Sequence, residues 1–207
     1  MSGAVAQPRR WDPLVKLTHW GVAAAIVING LLTEEGSQWH VWVGLAAGAL
    51  LALRLAWGLI GPPEARFSAF PPSPGRAIQH VRDILAGRRA SHRSHNPLGA
   101  LMVYAVWATL AVVVGTGVAM TGFPPAPRAY EAGELAARPG ADREAEDRED
   151  EGREGGGEGV GEVHEVAANL LFVLAVVHLA GVAFETRRSG RQVVTAMLGG
   201  KDTPKDA

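Results

Sequence analysis

The 207-residue sequence contains no cysteine. Disulfide bonds, thiolate-bound iron–sulfur clusters and thiolate zinc sites are therefore excluded, although the redox compartment of the protein stays open. The length leaves room for one domain and little more. The formal net charge is only −1, and we expect no nucleic-acid partner.

Charge is also missing from four long stretches of the chain. Acidic and basic residues are absent from 17–33, 36–53, 94–127 and 166–184. With its apolar flanks, each stretch reaches the ~20 residues with which a helix crosses a hydrocarbon core. The sequence therefore predicts an all-α, transmembrane four-helix bundle. The predicted helices occupy about 15–33, 39–60, 97–123 and 162–185.

The first stretch has a rival interpretation as a cleaved signal peptide, because Arg9, Arg10 and Lys16 precede it. However, it contains His19 and Asn29, and it ends in "LLTEEGS" without a small-x-small cleavage site. These features favour a retained membrane helix.

Basic residues predict the orientation of the chain. The N-terminal tail, the segment between the second and third helices, and the C-terminal tail hold three, six and five Lys or Arg residues. On the opposite side, the turn after the first helix has none and residues 128–162 have five. By the positive-inside rule, both termini and the middle segment face the cytoplasm.

Two connecting segments have compositions of their own. In "SPGRAIQHVRDILAGRRA", the Ser73-Pro74 pair predicts a helix start, and Ile78, Val81 and Leu85 share one face. We expect an amphipathic helix on the inner leaflet. Residues 128–162 carry twelve acids against five arginines with abundant glycine. This composition predicts a disordered periplasmic loop over 128–159. Alternatively, the acidic segment attracts a basic soluble partner electrostatically.

Four histidines in the apolar stretches fall into two depth levels. His164 and His178 are fourteen residues apart in "GEVHEVAANLLFVLAVVHLAGVAFE", which is 40° short of four full helical turns and about 21 Å along the axis. His19 lies near the inner end of the first helix, and His40 lies at the outer start of the second. The levels therefore match His19 with His178 and His40 with His164.

Two bis-histidine levels across a membrane suggest two b-type haems. Zinc or copper would be the alternative metal, but zinc normally takes three or four protein ligands, whereas each level supplies two imidazoles. A lone membrane histidine is also often an interhelical hydrogen-bonding residue. Small residues near these faces suit a flat porphyrin, but they suit ordinary membrane helix packing equally well. They are Gly44, Ala47, Gly48, Ala168 and Ala175.

Other candidate residues lie near the inner level. Arg54 follows His40 by fourteen residues, and its guanidinium either neutralises haem propionates or snorkels to the headgroups. His95, beside Asn96 and Pro97, either contacts a propionate or quinone head group or belongs to a helix start. His80 and His92 are expected to be solvated cytoplasmic residues.

Ordered motifs on all four predicted helices carry a family resemblance. The segments "WDPLVKLTHW", "WHVWVGLAAGALLALRLAWGLIGP", "SHNPLGALMVYAVWATL", "VHEVAANLLFVLAVVHLAGVAFE" and "AMLGGK" resemble the bacterial cytochrome b561 family. They resemble in particular the branch related to the cytochrome b subunit of membrane-bound nickel–iron hydrogenases. The likeness covers 11–127 and 160–201. Two features depart from the family pattern: the acidic insertion, and His80, where an aromatic residue is expected.

The resemblance implies a di-haem cytochrome in the bacterial inner membrane that passes electrons between the quinone pool and a partner protein. Its ligand pattern falls on His19, His40, His164 and His178. The implied partners are a cytochrome c or a hydrogenase or dehydrogenase subunit that performs the substrate chemistry. Residues 1–127 and 160–201 then form one domain, and 202–207 a tail. A haem-free proton or ion carrier and a purely structural anchor are the rival functions.

Overall fold

The computed structural model describes residues 12–87, 97–122, 146–190 and 192–198. These residues form helices and no strand, which confirms the all-α prediction for the described part of the chain. Two 3₁₀ turns, Pro63–Ala65 and Phe67–Ala69, follow the second helix. The α-helices are α1 (Pro13–Leu31), α2 (Gln38–Ile60), α3 (Pro74–Leu85), α4 (Pro97–Thr121), α5 (Glu146–Ser189) and α6 (Gln192–Leu198).

Four of these helices are long and apolar enough to cross a membrane. The spans are Pro13–Leu31, Gln38–Ile60, Pro97–Thr121 and Gly159–Arg188. They confirm the four predicted spans and define a multi-pass membrane protein. Large apolar side chains such as Trp39 and Val176, which are 75% and 66% exposed, suit a surface that faces lipid.

α5 is longer than its apolar span. It begins at Glu146 and therefore starts within the segment predicted as a disordered acidic loop, residues 128–159. The earlier part of that segment, 128–145, lies outside the described residues. Disorder of the loop therefore stays a prediction.

Polar side chains fix the starts of three helices. Asp12 accepts hydrogen bonds from the backbone N–H groups of Leu14 and Val15 at 2.9 and 3.2 Å. Ser37 caps α2 by accepting from the N–H of His40 at 3.2 Å. Ser73 caps α3, which begins at Pro74 as the Ser-Pro pair predicts. These contacts satisfy N–H groups that have no partner inside the helix.

The described chain divides into two compact units, each of which takes a segment from every spanning helix. The first unit comprises Met1–Gly21, Ala52–Ala105 and Val173–Ala207, and the second comprises Val22–Leu51 and Val106–Phe172. In the second unit, small and branched residues from all four spanning helices pack into one apolar core. Its buried members are Ala25, Ala47, Leu51, Leu110 and Leu171.

The first unit is held together by contacts that join distant segments. The buried Arg54 donates from Nη2 to the carbonyl of Ala65 at 3.2 Å, which ties α2 to the 3₁₀ turn that follows it. The ring of Tyr104 on α4 packs against Phe67 and Phe70, with centroids 6.3 and 5.9 Å apart.

α3 turns its small and polar side toward the rest of the first unit. Ala77 and His80 are buried, whereas Ile78, Val81 and Leu85 are exposed. The prediction that His80 is a solvated residue is therefore wrong, because it lies one helical turn from Ala77 on the inward side. The exposed side is the apolar face that the sequence predicts to lie on the bilayer.

Candidate functional site

The first histidine pair lies in the first unit. The ring of His19 on α1 and the ring of His178 on α5 have centroids 6.0 Å apart and planes inclined by 60°. Both side chains are partly buried. Trp20 packs edge-on against His19 at 5.3 Å, and its indole N–H donates to the carbonyl of Met197 on α6 at 3.4 Å. The C-terminal helix thereby helps to hold the side of the pair that α1 supplies.

The second histidine pair lies in the second unit and repeats this geometry. The rings of His40 on α2 and His164 on α5 have centroids 6.2 Å apart and planes inclined by 59°. His40 belongs to the first turn of α2, where Ser37 binds its backbone N–H. Asn29 on α1 donates from its side-chain amide to the carbonyl of His40 at 3.0 Å. The Ser37 cap and the Asn29 side chain of α1 therefore hold the backbone of His40 from two sides.

Hydroxyl groups lie behind the rings of the second pair. Oγ1 of Thr116 on α4 is 2.9 Å from Nδ1 of His164. Oγ1 of Thr33 is 3.5 Å from Nδ1 of His40, at the outer limit of a hydrogen bond. Gly117 leaves room for the His164 ring, because a Cβ at this position would lie 3.4 Å from Cε1 of that ring. Sequence patterns do not predict the contact between Thr116 and His164, since Thr116 precedes His164 by 48 residues.

The spacing within each pair suits two imidazoles bound to one metal ion. An imidazole nitrogen binds a transition metal at about 2.0–2.1 Å, and a five-membered ring with bonds of about 1.33 Å has a radius of about 1.1 Å. Rings on opposite sides of one ion would have centroids about 6.2–6.4 Å apart. The observed 6.0 and 6.2 Å lie within a few tenths of an ångström of this range.

Each pair supplies two nitrogen donors from the protein. Among the described residues, no group of three or more His, Cys, Asp or Glu side chains could hold a metal ion. Two imidazole donors would fit a haem, which brings the other ligands of its iron with it. Within the described part of the chain, the residues fit a haem better than a bare ion.

Two further predicted site residues have different outcomes. Arg54 lies in the same unit as His19 and His178, is only 6% exposed, and donates to Ala65. It is therefore a buried cation in that unit. His95 lies outside the described residues, so its predicted contact with a propionate or quinone stays a prediction.

The small residues near His40 pack against protein atoms. Ala47 belongs to the buried core of the second unit, and a Cβ at Gly48 would lie 2.7 Å from Cγ1 of Val114 on α4. A Cβ at Gly44 would lie 3.7 Å from Nδ2 of Asn29. Helix packing therefore accounts for Ala47 and Gly48.

Apolar helices that are long enough to cross a membrane, with histidine rings paired between them, are the arrangement expected of a membrane cytochrome. The family model described as prokaryotic cytochrome b561 matches residues 10–200. The chain therefore belongs to the prokaryotic cytochrome b561 family, and this membership implies binding of haem b. No curated protein and no solved structure matches the chain.

Proposed function

We propose that this protein is a di-haem membrane cytochrome that carries electrons between the quinone pool and a partner redox protein. His19 and His178 would ligate one haem, and His40 and His164 would ligate the other. The family membership supports a b-type cytochrome in electron transfer. The number of haems and the identities of the partners belong to this proposal.

The spacing of the two ring pairs carries the proposal. Both pairs have nearly equal centroid distances and inclinations, 6.0 Å and 60° against 6.2 Å and 59°. Each pair joins α5 to a different helix, α1 in one unit and α2 in the other. A repeated donor geometry on one helix is what two axial sites require, whereas an isolated hydrogen-bonding histidine has no need of a second copy.

The chain would provide ligation, a dry surround and charge. A haem, when bound, supplies a one-electron couple whose potential depends on its ligands and surroundings. The buried apolar core around Leu51, Leu110 and Leu171 would provide the dry surround in the second unit. In the first unit the Arg54 guanidinium would offset the charge of haem propionates.

The proposed topology rests on the distribution of charge along the chain. Positive residues favour cytoplasmic termini in the bacterial inner membrane. The exposed Ile78, Val81 and Leu85 of α3 suit a helix that lies on the lipid surface. A quinone would react at this same cytoplasmic side, near His95. The partner is a cytochrome c or a hydrogenase or dehydrogenase subunit, within whose complex this chain is the membrane anchor.

Haem stoichiometry in the purified, detergent-solubilised protein tests the proposal. The wild-type chain should show the reduced α-band of b-type haem and contain two haems per chain. His178→Ala and His164→Ala should each remove one haem and leave the other. His92→Ala, a histidine outside both pairs, is the control and should retain both. The haem that remains in each variant also reports that the protein is folded.

Two results would overturn the proposal. A wild-type protein without the α-band would favour the rival functions of haem-free ion carrier or structural anchor. Retention of both haems in His178→Ala or His164→Ala would show that the ligands are other residues, even for a protein that transfers electrons.

A further inference from the structure

The side chain of Thr116 links the backbone of α4 to the ring of His164. Its Oγ1 is 2.7 Å from the carbonyl of Val112, 3.1 Å from that of Val113 and 2.9 Å from Nδ1 of His164. The Thr116 hydroxyl therefore lies within hydrogen-bond distance of both the backbone of α4 and the ring of His164. All these atoms lie in the second unit.

The chemistry of the hydroxyl determines the direction of these bonds. A hydroxyl has one hydrogen to donate, and a carbonyl oxygen is only an acceptor. With the Thr116 hydrogen directed to the carbonyl of Val112, its oxygen is left to accept from His164. The proton of the His164 ring is then on Nδ1, and the Nε2 lone pair is available to a metal ion.

We propose that Thr116 is a positioning residue that fixes the tautomer and orientation of His164 and lowers the reduction potential of the site formed with His40. This inference rests on the proposed haem-binding function. A hydrogen bond accepted from the far nitrogen of a ligating imidazole increases the electron density that the ring gives to the metal. Greater donation stabilises the ferric state over the ferrous state, and the potential falls.

The two rings of this pair differ in their hydroxyl contacts. Thr33 lies 3.5 Å from Nδ1 of His40, and the same oxygen lies 3.3 Å from both oxygens of Asn29. That contact is longer than the 2.9 Å contact of Thr116, so its effect on the potential should be smaller. Thr116 is therefore the main hydroxyl determinant of this site.

Redox titration of the full-length, haem-loaded protein tests the role of Thr116. Thr116→Val removes the acceptor and keeps the side-chain shape, whereas Thr116→Ser retains the hydroxyl. In Thr116→Val the reduction potential of one of the two haems should rise. The rise should correspond to a roughly three- to tenfold decrease in the ratio of ferric to ferrous haem at a fixed potential. A tenfold change equals 59 mV for a one-electron couple. Thr116→Ser should restore most of the wild-type value.

Thr121→Val is the matched control on the same helix. The Thr121 hydroxyl donates to the carbonyl of Gly117 at 2.9 Å in the same manner, and its other hydrogen-bond contact, at 3.4 Å, is the backbone carbonyl of Gly122. Its substitution should leave both potentials unchanged. The electron paramagnetic resonance signal of the affected ferric haem should also shift in Thr116→Val and not in Thr121→Val, because the ligand ring loses its orientation.

Each outcome has a defined meaning. Two unchanged potentials in a Thr116→Val protein that holds two haems would overturn the role of Thr116 and leave the proposed function intact. A wild-type protein without haem would instead overturn the proposed function. Loss of one haem alone in Thr116→Val supports positioning. If Thr116→Val loses both haems, Thr116→Ala is measured instead, because alanine puts no methyl group in place of the hydroxyl. The same two readouts, haem content and reduction potentials, then decide.

Discussion

The indole Nε1 of Trp57 donates a hydrogen bond of 3.1 Å to the carboxylate of Asp12, 45 residues earlier in the chain. The same carboxylate oxygen accepts from the N–H groups of Leu14 and Val15 at the start of α1. One side chain therefore caps one membrane helix and ties it to the next. Removal of this carboxylate should weaken both the helix start and the contact between α1 and α2.

Asp12→Ala should destabilise the protein by about 1–3 kcal/mol, because a lost cap costs about 0.5–2 kcal/mol and the indole N–H loses a charged acceptor. Unfolding followed by circular dichroism during a denaturing-detergent titration measures the loss. Asp12→Asn retains a side-chain oxygen and should lose less than half as much. Trp57→Phe removes only the indole bond. An Asp12→Ala protein as stable as the wild type would contradict this role.

Gly117→Val should reduce the haem held by His40 and His164. A Cβ at Gly117 already reaches 3.4 Å from Cε1 of His164, and the branched methyl groups of valine extend further toward the ring. Pyridine haemochrome analysis should give a haem content between one and two per chain. Gly115→Val is the matched control, since a Cβ at Gly115 meets no described atom within 4 Å. Equal haem contents in the two variants would refute the steric role of Gly117.

Gly30→Ala should destabilise the second unit, because the added methyl group would overlap the ring of Phe172 on α5. Overpacking of a closed core costs about 1–3 kcal/mol, and because Phe172 is 37% exposed and its ring can move aside, the cost should lie near the lower end of that range. The double variant Gly30→Ala with Phe172→Ala should be more stable than the sum of the two single changes predicts. A double-mutant cycle, again by detergent-induced unfolding, measures this coupling. Strict additivity would show that the two residues do not share a packing site.

Single cysteines can test the orientation directly, because the natural sequence contains none. Glu35→Cys lies in the exposed turn between α1 and α2, and Gln79→Cys lies on an exposed position of α3. With both termini cytoplasmic, a membrane-impermeant maleimide should label Glu35→Cys in intact spheroplasts. Gln79→Cys should react only after permeabilisation, and the cysteine-free wild type should not react. The reverse labelling pattern would contradict the predicted topology.

Part of the histidine arrangement could be predicted from local geometry. Helical periodicity puts His164 and His178 on one face, and the alternating direction of the spans assigns His19 and His40 to matching depths. The structure brings together the same partners, at 6.0 and 6.2 Å between ring centroids. Their role as haem ligands stays a prediction that the variants above test.

The burial of His80 depends on tertiary packing and was not predicted from the sequence. A histidine among arginines in a polar segment is usually solvated, yet His80 is buried beside Ala77 because α3 turns that side toward the first unit. The choice between inward and outward faces depended on packing against other segments. Periodicity identified the apolar face of α3 but not the face that the rest of the protein covers.

The sequence by itself determined the four spans, the start of α3 at the Ser73-Pro74 pair, and the common face of the α5 histidines, because these depend on local composition and helical periodicity. The tertiary structure decided which groups surround those histidines. The hydroxyl of Thr116 and the space at Gly117 reach His164 from another helix, and Asp12 reaches Trp57 across the first unit. Such contacts depend on how helices rotate and approach one another, and the spacing of residues along one helix does not determine this.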